Sequence, residues 1–133
     1  MNSPNILYLP KIVDYRGNLS FFENSCQIPF DIKRVYWIHD VPSGETRGGH
    51  AFRSQNEFIV ALSGSFDVVL DNGSEPINYT LSRSNYGLYI PKMNWRELSN
   101  FSTNAVVMVV SDSEFLEEDY IRDYELYRDL IKK

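Results

Sequence analysis

The sequence predicts an all-β antiparallel fold, a β-sandwich or a closed barrel with a jelly-roll as one compact solution, carrying a short C-terminal helix. Three observations lead there. Short apolar or alternating runs rich in β-branched and aromatic residues recur as far as Val110. Turn residues cut them at intervals of about ten residues. After Ser111 the hydrophobic period changes from that of a strand to that of a helix.

In chain order, Asp14-Tyr15-Arg16-Gly17-Asn18-Leu19 reads as a turn leading into a strand. Strands are then expected at Arg34–Ile38, Phe58–Leu62, Phe66–Leu70, Ile77–Leu81, Tyr86–Ile90 and Ala105–Val110. Ser63-Gly64-Ser65 and Asp71-Asn72-Gly73 supply positive-φ turn chemistry between consecutive strands, which predicts hairpins and therefore an antiparallel sheet. Beyond the strands, Tyr120, Ile121, Tyr124, Tyr127, Leu130 and Ile131 form one stripe, with Glu118, Arg122, Glu125 and Arg128 outside it. The expectation is one domain over residues 1–133, a barrel over about 5–111 and a packed helix over about 117–131.

Composition narrows the function. With 43% hydrophobic and 14% aromatic residues the chain is neither disordered nor a coiled coil. The net charge of −5 is concentrated late: from Ser111 onward eight acids face four bases, leaving ten against nine before it. No part has the basic excess that a phosphate backbone requires, so nucleic acid is excluded as a partner, while a few arginines suffice for a small anion. No apolar run is long enough for a membrane span, and Met1-Asn2-Ser3-Pro4-Asn5 lacks a signal-peptide pattern, so a cytoplasmic location is expected. The single cysteine, Cys26, excludes an internal disulfide.

Only two histidines are available, His39 and His50. A barrel metal site usually offers His-x-His, a carboxylate and a distant histidine; here the run is His50-Ala51-Phe52, then Glu57, with no later histidine, so no metal is expected. The stretch Arg47-Gly48-Gly49-His50-Ala51-Phe52-Arg53 is the most informative. Its glycines allow close backbone approach, and alternation puts His50 and Phe52 on one face. A neutral imidazole in a half-desolvated cavity can take a proton from carbon near neutral pH; the competing reading is a hydrogen-bonded structural histidine, the only one His39 receives. Arg16, Arg34, Arg47, Arg53 and Arg96 read individually as surface charges, but any that face a cavity need an anion. Trp95, Tyr36 with Trp37, and Tyr86 with Tyr89 either line a pocket for a planar base or fill the core.

Taken together, Asp14-x-Arg16-Gly17-x-Leu19, Ile28-Pro29-Phe30-x-Ile32-Lys33-Arg34-Val35-Tyr36, Arg47-Gly48-Gly49-His50-Ala51, Gly64-Ser65, Leu70-Asp71-Asn72-Gly73, Gly87-Leu88-Tyr89, Trp95 and Asp119-Tyr120-Ile121-Arg122-Asp123-Tyr124 resemble the cupin-fold nucleotide-sugar 3,4-ketoisomerases along nearly the whole chain. The resemblance implies a cupin jelly-roll, no metal or cofactor, a homodimer with exchanged N-terminal strands, and a dTDP-4-keto-6-deoxyhexose isomerised through an enediolate to its 3-keto form in deoxysugar biosynthesis. It makes His50, Arg47 and Arg96 the catalytic candidates, and Arg16, Arg34, Tyr36, Phe52, Arg53, Glu57, Tyr89 and Trp95 the substrate-binding ones. The family's active site centres on His-Ala-His; His50 matches the first histidine and Phe52 replaces the second. Phenylalanine neither bonds a hydroxyl nor carries a proton, which leaves three alternatives: a 3-epimerase on the same ligand, a non-catalytic nucleotide-sugar binder, and a purely structural dimerisation barrel.

Overall fold

The computed structural model describes residues 3–132. Twelve strands occur in the order β1 (Asn5–Tyr8), β2 (Lys11–Ile12), β3 (Leu19–Ser20), β4 (Arg34–Ile38), β5 (Arg47–Phe52), β6 (Glu57–Ser63), β7 (Phe66–Asp71), β8 (Ile77–Leu81), β9 (Tyr86–Ile90), β10 (Trp95–Ser99), β11 (Val106–Ser111) and β12 (Tyr120–Ile121), followed by helix α1 (Tyr124–Ile131). Two five-stranded sheets face each other, ordered β1-β9-β6-β11-β4 and β12-β5-β10-β7-β8, and β2 with β3 forms a separate ribbon. The fold is the expected all-β jelly-roll with one short terminal helix.

Alternation along the strands places the core. Phe66, Val68 and Leu70 of β7 point between the sheets to meet Ile59, Ala61, Leu88, Ile90, Leu98, Val107 and Val109, all buried. Each such side chain removed from water contributes roughly 1.5–3 kcal/mol, and this layer is the main term holding the sheets together. The opposite face of the first sheet presents Phe58, Val60, Tyr89 and Val110, which are covered by Leu9, Ile28 and Phe30 of the N-terminal segment. A third cluster, Ala51, Trp95, Ile121 and Tyr127, fills the space between the second sheet and α1.

Two expectations need correction. Ser63-Gly64-Ser65 does not close a hairpin: it carries the chain from β6 in one sheet to β7 in the other. Gly64 has φ 67° and is packed against Ser102 and Ala105. Ser65 N donates to Ser102 Oγ at 2.8 Å, and Ser102 N donates to Ser65 O at 2.9 Å, so the turn is tied to the β10–β11 loop across the end of the core. Asp71-Asn72-Gly73, by contrast, does open a hairpin, with β7 and β8 paired from Phe66↔Leu81 to Leu70↔Ile77.

The terminal helix is also shorter than expected, starting at Tyr124 and not at 117. Asp123 caps it, accepting from Glu125 N at 3.0 Å. Glu117–Asp119 is a single 3-10 turn, and Tyr120 and Ile121 pair with Phe52 and Ala51 as β12. The cause is Asp119, which is buried and accepts from Ser54 N (3.0 Å), Ser54 Oγ (2.7 Å), Gln55 N (3.1 Å) and Gln55 Nε2 (3.1 Å). These bonds hold the segment extended along β5 where its hydrophobic period alone reads as helix.

An alanine Cβ at position 64 would lie 2.4 Å from Ser102 Oγ and 2.9 Å from Ala105 Cα, at a positive φ. Gly64→Ala is expected to cost about 2–3 kcal/mol, the sum of left-handed strain and overpacking, read as a lowered urea midpoint at unchanged m-value.

Candidate active site

The two sheets part along one seam, between the β4 edge of the first and the β5–β12 edge of the second. A cleft of about 490 Å³ opens there, walled by Arg34 and Tyr36 of β4, Arg47 and His50 of β5, Arg96 and Leu98 of β10, and Phe115, Tyr120 and Arg122 of the C-terminal segment. Strand alternation decides what enters it. On β4, Arg34 and Tyr36 turn inward while Val35 remains exposed on the outer face. On β10, Arg96 turns inward, which sends Trp95 outward to the cluster beneath α1. Arg96 pairs with His50 across β5 and β10. Gly48, at φ 78°, lets the strands close up, since a Cβ there would sit 2.6 Å from Leu98 Cδ1.

The floor is a buried polar chain. Arg96 and Glu57, 2% and 0% exposed, form an ion pair through Arg96 Nη2 and Glu57 Oε1. Tyr36 Oη donates to Glu57 Oε2 at 2.9 Å, and Arg34 Nη2 lies 3.8 Å from the same oxygen. Burial, then the Glu57 charge, pushes the Tyr36 phenol well above its ordinary value, so it stays a donor. Arg34 Nη2 also donates to Gln55 Oε1 at 2.9 Å, which joins this floor to the Asp119 anchor.

Arg96 Nε donates to His50 Nε2 at 3.0 Å. An arginine never gives up its proton at working pH, so Nε2 is the acceptor and the neutral ring carries its hydrogen on Nδ1. Burial, followed by the positive charges of Arg96, Arg122 and Arg34, pushes the imidazole down to about 2. Phe52 is buried behind this pair, its ring centroid 4.8 Å from the Arg96 guanidinium carbon and 4.8 Å from the His50 ring centroid. Tyr120 completes the aromatic wall, 5.0 Å from His50 and 4.6 Å from Phe52.

Of the sequence candidates, His50, Arg47, Arg96, Arg34 and Tyr36 therefore share one cleft, with Glu57 and Phe52 packed directly beneath it. Four do not line it. Tyr89 faces away from the sandwich interior against Phe30, because Leu88 and Ile90 on either side turn inward. Trp95 is displaced by the same alternation. Arg53 is exposed just past β5, where its backbone N bonds Asp119 O. Arg16 is an exposed loop residue paired to Asp14 at 2.8 Å.

Sequence reasoning about charge placed Arg122 on a solvated helix face. The structure puts it on the rim of the cleft, still exposed, over the Tyr120 ring at 4.1 Å and paired with Glu117 at 3.1 Å. The signal for it lay in the Asp119-Tyr120-Ile121-Arg122 run, where buried Asp119 fixes the path of the next three residues. A second cavity, about 540 Å³, holds His39 bonded to Asp40 at 2.9 Å among exposed loops, without a buried charge. Among the described residues no three His, Cys, Asp or Glu side chains converge as metal ligands.

The family model described as FdtA, WxcM-like, C-terminal, matches residues 2–132. The chain belongs to this WxcM-like family. A TDP-4-oxo-6-deoxy-alpha-D-glucose-3,4-oxoisomerase of Aneurinibacillus thermoaerophilus is 39% identical over 128 residues, covering 96% of this chain and 92% of that protein. QdtA, a sugar 3,4-ketoisomerase of Thermoanaerobacterium thermosaccharolyticum solved with TDP, is 35% identical with a TM-score of 0.95, over 97% of this chain and 94% of that one. WlaRB, a TDP-quinovose 3,4-ketoisomerase of Campylobacter jejuni, is 37% identical with a TM-score of 0.91, over 97% and 99%.

One consequence for this WxcM-like chain is a pH signature. His50 is depressed from 6.5 to about 2 on folding, so below 6.5 the unfolded chain binds the extra proton and stability falls with pH down toward 2. His50→Gln removes that contribution. Urea unfolding at about pH 7 and about pH 4.5 should show a smaller acid loss in His50→Gln than in the unaltered protein.

Proposed function

We propose that this WxcM-like chain is a TDP-sugar 3,4-ketoisomerase, moving the ketone of a TDP-4-keto-6-deoxyhexose from C4 to C3 without a metal. The observation that carries this reading is a neutral imidazole bonded to a buried arginine, inside a cleft that also holds Arg34, Arg47 and Arg122. Three cations around an uncharged base suit a diphosphate ester with a carbon acid at its end. The names of these three relatives, each a TDP-sugar or sugar 3,4-ketoisomerase or oxoisomerase, support the same substrate class.

The chemistry is a proton transfer between adjacent carbons. His50 takes the C3 proton, and the C3–H electrons become the C3=C4 bond of an enediolate whose charge rests on O4. The proton of the O3 hydroxyl passes to O4, and His50 returns its proton to C4, leaving the ketone at C3. Arg96 is the donor placed to stabilise the O4 charge. Arg34, Arg47 and Arg122, which line the cleft, are assigned to the nucleotide phosphates, and Tyr36 to a sugar hydroxyl. Phe52 supplies no proton, so one base serves both carbons from one face.

A homodimer belongs to the same proposal. The β2–β3 ribbon leaves Ile12, Val13, Tyr15 and Leu19 between 55% and 98% exposed, and β4, an edge strand of the first sheet, leaves Val35 and Trp37 exposed as well, apolar surface that a partner would cover. Exchange of this ribbon is also the route by which Arg16 would reach a cleft, that of the partner. A cytoplasmic location fits the free, exposed thiol of Cys26.

Incubation with dTDP-4-keto-6-deoxyglucose should give the 3-keto isomer by proton NMR, and His50→Asn should lower turnover by about 10²-fold or more. Inversion at C3 without ketone migration would make the protein an epimerase, and bound but unchanged substrate a binding module. Chelator should leave the rate unchanged. Removal of residues 1–22 should abolish the dimer on gel filtration; a folded, active monomer would overturn the strand exchange.

A further inference from the structure

His50 has no free basic nitrogen: Nε2 accepts the Arg96 Nε–H, and Nδ1 carries the ring's own hydrogen. A base in this state cannot take a proton until Arg96 lets go. Arg96 is otherwise held on both sides, by Glu57 through Nη2 and by the Phe52 ring over its guanidinium, so the Nε–H is the bond able to change partner without breaking the ion pair. Both Arg96 and His50 line the cleft, so a ligand bound there lies against the two residues that share this bond.

We propose that the substrate's own ketone oxygen displaces His50 from the Arg96 Nε–H, so that one exchange of hydrogen bonds both polarises the carbonyl and uncovers the base. This rests on the ketoisomerase reading and deepens it. The geometry favours it because a carbonyl oxygen and the hydrogen on its α-carbon are separated by roughly one hydrogen-bond length, which is also the separation of the two atoms being parted. A ketone seated on Nε–H therefore brings its C3–H to the vacated Nε2. When the C3–H bond breaks, its proton goes to Nε2 and its electron pair to the enediolate, whose O4 now receives the Arg96 Nε–H as a charge-assisted bond. Return of the proton to C4 neutralises His50, and departure of the product lets Nε2 recapture Arg96. Without substrate the base stays covered.

The other groups facing the ring are consistent with this. Arg34 and Tyr36 of β4, Glu57 of β6, Arg47 of β5, Tyr120 of β12 and Arg122, itself paired with Glu117, surround it with a positive excess. A bound diphosphate offsets part of that excess whether or not a ketone is present. The ketone-specific part of any change in His50 is what distinguishes the proposal from simple charge neutralisation.

The test uses the full chain as His39→Gln, which leaves His50 as the sole histidine. With ¹⁵N-labelled histidine, the free protein should show the neutral Nδ1–H form with a hydrogen-bonded Nε2, unchanged down to about pH 4. TDP alone should raise the His50 titration modestly and keep that bond. The equilibrium mixture of 4-keto and 3-keto nucleotide sugar should lose the hydrogen-bonded Nε2 signal and raise the titration by about one further pH unit or more. In parallel, the acid limb of kcat should lie at higher pH than that of kcat/KM. Arg96→Lys should give a free His50 that titrates higher and no longer distinguishes ketone from TDP. Turnover in the same samples with identical His50 signals for TDP and the keto sugars overturns the proposal and leaves the ketoisomerase reading standing. Absence of turnover overturns both.

Discussion

Arg96 and Glu57 are the constraint on which the site is built. They come from different sheets, β10 and β6, and meet with both side chains withdrawn from water. Separating two such charges from solvent costs several kcal/mol per ion, and only close pairing with additional hydrogen bonds offsets it. Two such bonds are present, Tyr36 Oη donating to Glu57 and Arg96 Nε donating to His50, and Arg34 at 3.8 Å from Glu57 and the Phe52 ring over the Arg96 guanidinium add charge and cation–π contact. Each partner that satisfies the pair is thereby fixed in place. The desolvation cost of one ion pair organises most of the cleft floor, and the imidazole is kept neutral first by its own burial and then by the positive charge of the arginine it accepts from.

The wall opposite β4 depends on a second buried carboxylate. Asp119 consumes four donors from Ser54 and Gln55, and in doing so holds Tyr120 against His50 and Phe52 and brings Arg122 to the rim of the cleft. Gln55 links the two devices, since it donates to Asp119 and accepts from Arg34 and Ser111. The C-terminal segment is thus part of the site and not a surface appendage, which accounts for its aromatic content and for its interruption of the helix.

Phe52 gives this WxcM-like chain its particular character. A second protonatable group at that position would share the Arg96 donor and compete for the proton. An aromatic ring instead excludes water, covers the guanidinium face and leaves His50 as the only imidazole in the cleft. In the proposed isomerisation the single base and the donor for the enediolate are His50 and Arg96, neighbours in a single hydrogen bond.

Strand positions were legible from local sequence because alternation and β-branched content are local properties: Arg34–Ile38, Ile77–Leu81 and Tyr86–Ile90 coincide with β4, β8 and β9. The co-location of His50 with Phe52 was legible for the same reason, as both obey a period of two along β5. What local pattern cannot contain is which sheet a strand joins and which face of that sheet looks inward. Ser63-Gly64-Ser65 carries hairpin chemistry yet spans two sheets, because its partners are Ser102 and Ala105 from a distant loop. Trp95 and Tyr89 have pocket-like side chains yet sit one residue out of phase with Arg96 and with Leu88 and Ile90. Arg122 reads as a charge on a helix face, and reaches the rim of the cleft only because Asp119 finds Ser54 and Gln55, more than sixty residues away in sequence. Sequence by itself determined the main strands of the sandwich, the presence of a terminal helix and the family. The tertiary structure alone decided which arginines meet one histidine, because pairing between sheets and the satisfaction of buried charges are settled by contacts that no local window of residues records.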